Sequence, residues 1–151
     1  MQWKPNVTVA AIVEYNGKFL LVEEYSDETL VYNQPAGHLE QNETLIEAVK
    51  REVKEETAYE FEPSAVLGIY MYPNHSQDIT YLRVCFLGTC HNHDPEQTLD
   101  DGIVRAVWLS KDELELQPAK LRSDMVLQCI NDYLSGKSFP LDLLHHQLSR
   151  S

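Results

Sequence analysis

The sequence predicts an α+β domain in which a mixed β-sheet is sandwiched between α-helices. Three observations carry this prediction: several short apolar runs rich in β-branched residues, one amphipathic helix near the middle of the chain, and a second near its end. The length of 151 residues, with 43% hydrophobic content, suits a single domain over residues 1–151 with a substantial core.

The first third of the chain has the pattern of a β-hairpin followed by a further strand. Residues 7–15 and 18–24 are apolar runs, and Asn16-Gly17 between them is a strong signal for a two-residue hairpin turn. A third run spans residues 30–34, and Pro35-Ala36-Gly37 then turns the chain towards the central helix.

After the central helix the sequence predicts three more strands and two helices. The strands span residues 65–71, 79–90 and 104–109, with a polar loop over residues 73–78. Ser110 begins a capping-box pattern for a short helix, and residues 123–134 form a longer amphipathic helix that Gly136 closes.

The central helix is predicted to start near residue 43, with Asn42 as its N-cap. At about 100° per residue, Ala48, Val49 and Val53 fall within roughly 80° of Leu45 and form a core-facing stripe. The remaining members of the stripe are acidic: Glu52 and Glu56 lie within it and Glu55 lies at its edge. By contrast Glu47, Lys50 and Lys54 form a solvated face.

Three carboxylates at one end of a half-buried stripe repel one another and are costly to desolvate unless they are neutralised. A hard divalent cation neutralises them best, and carboxylate oxygens favour Mg²⁺, with Mn²⁺ as the second possibility. An ordinary acidic helix laced with ion pairs is the alternative, but it would place these residues on the solvated face.

The same spacing resembles the Nudix box, in which Gly, Glu, Arg-Glu and Glu-Glu recur at fixed intervals. Residues in register with that motif are Gly37, Glu43, Arg51, Glu52, Val53, Glu55 and Glu56. The chain departs from the motif at its end, where Ala58 replaces the usual glycine and Tyr59 takes the last apolar position. Glycine there serves as a helix cap with positive φ, so the departure concerns the helix exit rather than the chemistry.

The resemblance implies a Nudix fold and a phosphohydrolase in which metal ions activate a water molecule. It assigns metal ligation to Glu52, Glu55, Glu56 and the Ala36 carbonyl, and catalytic roles to Glu52, Glu55 and Arg51. It also implies that Gly37, Glu43 and Arg51 are structural, holding the loop against the helix. A further base from outside the motif would be Asp100 or Asp101, between which the sequence does not decide.

Longer segments resemble a bacterial phosphatase subfamily of the Nudix enzymes. This implies hydrolysis of nucleoside di- and triphosphates, thiamine pyrophosphate or hydroxymethylpyrimidine diphosphate, with release of orthophosphate. Arg83, Arg122 and Gln34 are then candidate substrate contacts. Arg83 interrupts an apolar strand. In the functional interpretation it faces the carboxylate helix and its guanidinium binds two phosphate oxygens. In the alternative it is an arginine at the sheet edge whose aliphatic part carries the charged group to solvent.

The amino-acid composition limits the kinds of molecule that the protein is expected to bind. A net charge of −12 argues against a nucleic-acid surface but not against phosphate substrates, because bound metal inverts the local sign. The chain has no apolar run long enough for a membrane span and no signal core, so we expect a cytoplasmic protein, a monomer or homodimer, that acts on a small di- or triphosphate. Its three cysteines suit reduced thiols, and Cys90 with its neighbouring histidines lacks the second ligand pair of a zinc site.

Two other functions stay open at this point. Pro73 lies at the spacing associated with ADP-ribose pyrophosphatases and sugar-nucleotide hydrolases of the family, although a loop proline usually marks only a turn. A non-catalytic ligand sensor is the second, but a sensor has no need of all three carboxylates. The residues that select the base come from loops around Tyr25, Tyr32 and His75, which spacing does not position.

Overall fold

A computed structural model describes residues 1–147 of the chain. The strands are β1 Asn6–Ile12, β2 Glu14–Tyr15, β3 Lys18–Ser26, β4 Thr29–Asn33, β5 Ala36–His38, β6 Glu60–Asn74, β7 Ile79–His91 and β8 Ile103–Leu109. The helices are α1 Leu45–Thr57, α2 Lys111–Glu115 and α3 Met125–Leu134, with 3₁₀ turns at Pro118–Lys120 and Leu141–Leu143. None of the helices within residues 1–147 has the length and apolar character needed to cross a membrane.

The strands form two four-stranded sheets. The first has the order β5-β1-β7-β6 and is mixed, because β1 and β7 run parallel while the other pairs are antiparallel. The second contains β2, β3, β4 and β8, all antiparallel. The predicted hairpin is confirmed at Asn16-Gly17, where both residues have positive φ, as a tight two-residue turn requires.

The first sheet is covered by a helix on each face, as the α+β prediction requires. Alternate residues of β1 separate to the two sides: Val9 and Ala11 pack with α1, whereas Ala10 and Ile12 pack with α3. The strand β7 divides in the same way. Each face of the sheet therefore has its own buried apolar cluster, and α1 and α3 lie on opposite sides.

Several predicted boundaries move. The strand predicted over residues 7–15 is interrupted at Val13, because its first part pairs with β7 and its second part enters the other sheet. Residues 36–38 are a short strand on β1 rather than only a turn. The strands β6 and β7 are longer than predicted because they pair from Glu60 to Asn74, with register shifts after Pro63 and after Val66. The last helix starts at Met125 instead of Ser123.

The N-cap of α1 is Thr44 rather than Asn42. The Thr44 hydroxyl accepts from the Glu47 N–H, and the Glu47 carboxylate accepts from the Thr44 N–H, which completes a capping box. Asn42 instead occupies a left-handed position in the preceding loop, with φ 67°. At the other end of the helix Ala58 adopts φ 64°, so alanine holds the left-handed cap conformation for which the family motif uses glycine.

Candidate active site

Two carboxylates of helix α1 point towards the protein interior. Glu52 and Glu56 are each only 8% exposed, next to the buried Ala48, Val49 and Val53. The side chain of Glu55 is 41% exposed. The helical periodicity therefore placed Glu52 and Glu56 correctly on the buried stripe and Glu55 at its edge.

Glu52 lies directly against the backbone of β5. A Cβ atom built on Gly37 would come closer to the Glu52 carboxylate than real Cβ atoms come to any neighbour. The φ of Gly37 is not positive, so the glycine is required here by close approach and not by backbone conformation. The strand can present its edge to the carboxylate only because residue 37 has no side chain.

Glu56 receives a hydrogen bond from the same strand. The Ala36 N–H donates to Glu56 Oε1 at 2.9 Å. Burial raises the pKa of Glu56 to about 9, and the charges of Glu52, Glu24 and Asp100 add to that effect, against the lowering effect of the hydrogen bond. Burial also raises the pKa of Glu52, although Arg51 opposes it. Both carboxylates are therefore harder to ionise than exposed glutamates, and a nearby cation would favour their charged forms.

Arg51 ties the loop, the helix and the strand together. Its Nε and Nη2 donate to the two oxygens of Glu43 at 3.1 and 2.7 Å, a bidentate pair that lowers the pKa of Glu43. Its Nη1 donates to Glu52 at 2.7 Å and to Glu55 at 3.3 Å, and its Nη2 also donates to the His38 carbonyl at 3.0 Å. These are the contacts of a residue that fixes the positions of other groups.

The three carboxylates of α1 do not form a ready-made metal cage. Across residues 1–147, no three His, Cys, Asp or Glu side chains are arranged to enclose an ion. Glu52 and Glu55 share Arg51 as their hydrogen-bond donor, and Glu56 accepts from the Ala36 N–H, so all three carboxylates are bonded to protein groups. The donor set nevertheless fits a divalent cation, because two buried carboxylates with raised pKa values offer hard oxygen ligands that need positive charge.

Asp100 lies beside this cluster. Its N–H donates to the Glu55 carbonyl at 3.0 Å, and its negative charge contributes to the raised pKa of both Glu52 and Glu56. Of the two aspartates that the sequence left open, the structure brings Asp100 to the cluster.

The other face of β5 borders a groove of about 200 Å³. Its lining residues are Thr8, Glu24, Asn33, Ala36, Gly37, His38, Tyr72, Asn74, Tyr81, Arg83, Arg122 and Ser123. Because Ala36 lines this groove and also donates to Glu56, the groove and the carboxylates meet at one strand edge.

The structure corrects the expected orientation of Arg83. Arg83 alternates with Val84 along β7, and Val84 packs in the α1 cluster, so Arg83 points to the α3 side of the sheet rather than towards the carboxylate helix. It does not reach solvent either, since it is only 5% exposed. Its guanidinium lies 5.5 Å from the ring centroid of Tyr72, in the groove.

Gln34 supports Arg83 and does not line the groove. It is fully buried, and its Oε1 accepts from Arg83 Nη1 at 2.6 Å. Direct contact between Gln34 and substrate stays a prediction; in this structure the side chain of Gln34 holds Arg83 in place. Arg122 does line the groove, where its Nη1 donates to Glu24 at 3.0 Å.

Eight of the twelve groove-lining residues were missed by the sequence analysis: Thr8, Glu24, Asn33, His38, Tyr72, Asn74, Tyr81 and Ser123. Alternation gave one usable signal, because it puts Tyr81 on the same face of its strand as Arg83. Tyr72, which pairs with Tyr81 in the structure, lies one residue beyond the strand predicted over residues 65–71. Nothing local marks Asn33 or Glu24. Of the residues expected near the base pocket, Tyr25 is exposed and Tyr32 is buried under Lys120, whereas their groove-lining neighbours are Glu24 and Asn33.

Comparison with known proteins gives concordant results. A model of the NUDIX domain matches residues 4–128. Phosphatase NudJ of Escherichia coli strain K12 is 40% identical over 143 residues, which cover 94% of this chain and 92% of that protein, and phosphatase NudJ of Shigella flexneri matches equally well.

Solved structures agree. A NUDIX hydrolase from Nitrosomonas europaea superposes with a TM-score of 0.93 at 49% identity, covering 95% of this chain and 98% of that one. A MutT NUDIX hydrolase from Burkholderia pseudomallei has a TM-score of 0.73 at 20% identity, covering 86% and 98%, which shows the fold alone.

Proposed function

The chain belongs to the Nudix hydrolase family, and on that premise we propose that it is a Mg²⁺-dependent phosphohydrolase that releases orthophosphate from small diphosphates and triphosphates. Candidate substrates are nucleoside di- and triphosphates, thiamine pyrophosphate and hydroxymethylpyrimidine diphosphate. The observation that carries the proposal is the pair of buried carboxylates, Glu52 and Glu56, held against the edge of β5. The relatives' name, phosphatase, supports orthophosphate as the product.

Divalent metal ions are the general cofactors of this family. The residues that would hold one here are Glu52, Glu55, Glu56 and the Ala36 carbonyl, and Mn²⁺ would suit the same oxygen donors. A bound ion would neutralise phosphate oxygens and lower the pKa of a coordinated water.

The protein's own groups position the reactants. Gly37 lets the strand edge approach Glu52, and Arg51 fixes Glu43, Glu52 and Glu55 relative to one another. The proton of the attacking water passes to a carboxylate beside the buried pair. Glu55 and Asp100 are the candidates, because both lie next to that pair and neither is deeply buried.

The substrate lies across β5, with the phosphate to be released at the Ala36 edge and the rest of the molecule, including its other phosphates, in the groove. Arg122 contributes a partly exposed positive charge at the groove and serves as the phosphate contact, with Glu24 holding its guanidinium. In this arrangement the buried Arg83, on the floor of the groove, contacts the organic part of the substrate.

Product identification tests the proposal. Purified protein is incubated with Mg²⁺ and each candidate substrate, without an auxiliary phosphatase, and products are followed by phosphorus NMR. Orthophosphate with a shortened substrate is the expected result. Nucleoside monophosphate and ribose phosphate from ADP-ribose, with the other compounds intact, would identify a sugar-nucleotide pyrophosphatase instead. Binding without any cleavage would identify a ligand sensor.

A further inference from the structure

The groove is lined by buried polar atoms that have no hydrogen-bond partner in the described part of the chain. Within residues 1–147, three buried side-chain nitrogen or oxygen atoms have no hydrogen-bond partner: Thr8 Oγ1, Asn33 Oδ1 and Arg83 Nε. The three residues are 5%, 8% and 5% exposed, and all three line this one groove. Buried polar groups are nearly always paired, so three unpaired atoms around one groove point to a ligand that pairs them.

The orientation of Asn33 is fixed by its neighbour. Asn33 Nδ2 lies 3.4 Å from Glu24 Oε1, and a carboxylate only accepts hydrogen bonds, so the amide nitrogen faces Glu24 and the amide oxygen is the unpaired atom. Arg83 is fixed as well, because its Nη1 donates to Gln34 at 2.6 Å. The groove therefore presents one unpaired acceptor, one unpaired donor, and the Thr8 hydroxyl, which can act as either.

Two aromatic rings stand beside these atoms. Tyr72 and Tyr81 are paired across β6 and β7, with ring centroids 5.3 Å apart and planes tilted by 30°. Both line the groove, and Arg83 lies over Tyr72. Aromatic side chains stack on planar heterocycles, and this stacking does not depend on which base is present.

We propose that the groove selects a planar heterocycle that carries a ring-nitrogen acceptor beside an exocyclic amino group, as cytosine, adenine and 4-aminopyrimidines do. The ring nitrogen accepts from Arg83 Nε and the amino group donates to Asn33 Oδ1, while the ring packs against Tyr81, since Arg83 already lies over the Tyr72 ring. This inference rests on the proposed function, since the ring is the organic part of the diphosphate substrate.

The pattern of donors and acceptors excludes two other occupants of the groove floor. A phosphate group would pair with Arg83 but has no hydrogen to donate to Asn33 Oδ1. A uracil or hypoxanthine edge presents an N–H to the Arg83 donor and a carbonyl to the Asn33 acceptor, so both contacts become repulsive. A site built to hydrogen-bond a substrate group rejects analogues that leave its buried partners unpaired.

Matched substrate pairs test the inference without altering the phosphates. We would measure kcat/KM for CTP against UTP and for ATP against ITP, by orthophosphate release. The expected result is a preference for the amino member of each pair of at least about tenfold. Turnover of all four nucleotides with ratios near one would overturn this inference and leave the proposed function standing. Failure to release orthophosphate from all four nucleotides and also from thiamine pyrophosphate and hydroxymethylpyrimidine diphosphate would contradict the proposed function itself.

Two variants locate the preference. In Asn33→Leu the amino-to-oxo ratio should fall towards one, mainly through loss of the amino substrates. Asn74→Leu is the matched control, because Asn74 lines the same groove but its Oδ1 already accepts from Ser76 at 2.8 Å, and it should keep the wild-type ratio. If Asn33→Leu does not fold, the wild-type ratios still decide. An unchanged ratio in a folded Asn33→Leu protein would overturn the assignment to Asn33.

Discussion

The backbone of Gly37 and the carboxylate of Glu52 occupy adjoining space with no room for a side chain between them. This contact joins the strand β5 to the helix α1 at the point where the two buried carboxylates lie. It accounts physically for a glycine at residue 37, fifteen positions before Glu52.

Gly37→Ala should displace Glu52 and lower kcat sharply, by about a hundredfold, because catalytic groups misplaced by about 1 Å lose that much activity. Initial rates of orthophosphate release would measure the effect. Gly68→Ala is the matched control, since a Cβ there meets only the Tyr70 ring at 3.2 Å. Equal activity of the two variants would show that the close approach of Gly37 to Glu52 does not matter.

Arg51→Lys should destabilise the protein as well as inactivate it. Lysine cannot reproduce the fork that binds both oxygens of Glu43 while also contacting Glu52 and the His38 carbonyl. The free energy of unfolding should fall by about 1–3 kcal/mol in urea titrations, as partly buried partners are left unpaired. Arg105→Lys, in which a 61% exposed arginine loses one contact to Glu23, should change stability much less. A similar loss in both would indicate that Arg51 is an ordinary surface charge.

The buried Glu56 makes stability depend on pH in the absence of divalent metal. Its pKa is about 9 in the folded protein, against an ordinary value of 4.5, so between these values the folded state holds the extra proton. The stabilisation of the folded state by this proton is fully present below about pH 4.5. It is lost as the pH rises towards 9, so the free energy of unfolding falls by up to about 1.4 kcal/mol per pH unit.

Glu56→Gln keeps an acceptor for the Ala36 N–H but cannot titrate, so it should lack this slope. Urea unfolding of both proteins in chelator, between about pH 5 and pH 8, would measure the difference. Added Mg²⁺ should restore the stability of the wild type at the higher pH and not that of the variant, because the ion replaces the proton. Parallel pH profiles in the two proteins would contradict the burial of a protonated Glu56.

The capping box of α1 gives a prediction about stability alone. Thr44→Ala removes the acceptor for the Glu47 N–H and should cost about 1 kcal/mol in thermal or urea unfolding. Asn42→Gly should be tolerated, since Asn42 is in a left-handed conformation that glycine adopts readily. The reverse order of effects would restore Asn42 as the cap.

The helical part of the site was predictable because it depends on short-range geometry. The rotation of about 100° per residue is enough to place Glu52 and Glu56 on the buried stripe, and the motif spacing brings in Gly37 and Arg51. Alternation likewise put Arg83 on the face of β7 that it shares with Cys85.

The groove was not predictable because it depends on which helix covers which face of the first sheet. The sequence does not say that α1 packs on Val84 and α3 on Cys85, and that choice turns Arg83 away from the carboxylates. Asn33 and Glu24 come from the second sheet and meet β7 only through tertiary packing. The break at Val13, which starts the second sheet, has no local signal either.

The most direct test of the account compares orthophosphate release by the wild type, Glu56→Gln and Glu62→Gln across a Mg²⁺ titration, with a nucleoside triphosphate as substrate. Glu62 is an exposed glutamate at the start of β6, 3.9 Å from Lys50, and controls for the loss of one charge. The account predicts Mg²⁺-dependent activity in the wild type and in Glu62→Gln, and a loss of at least about a thousandfold in Glu56→Gln with the fold retained. Wild-type activity in Glu56→Gln, or activity that persists in chelator, would contradict the assignment of the buried carboxylates as the metal-dependent centre.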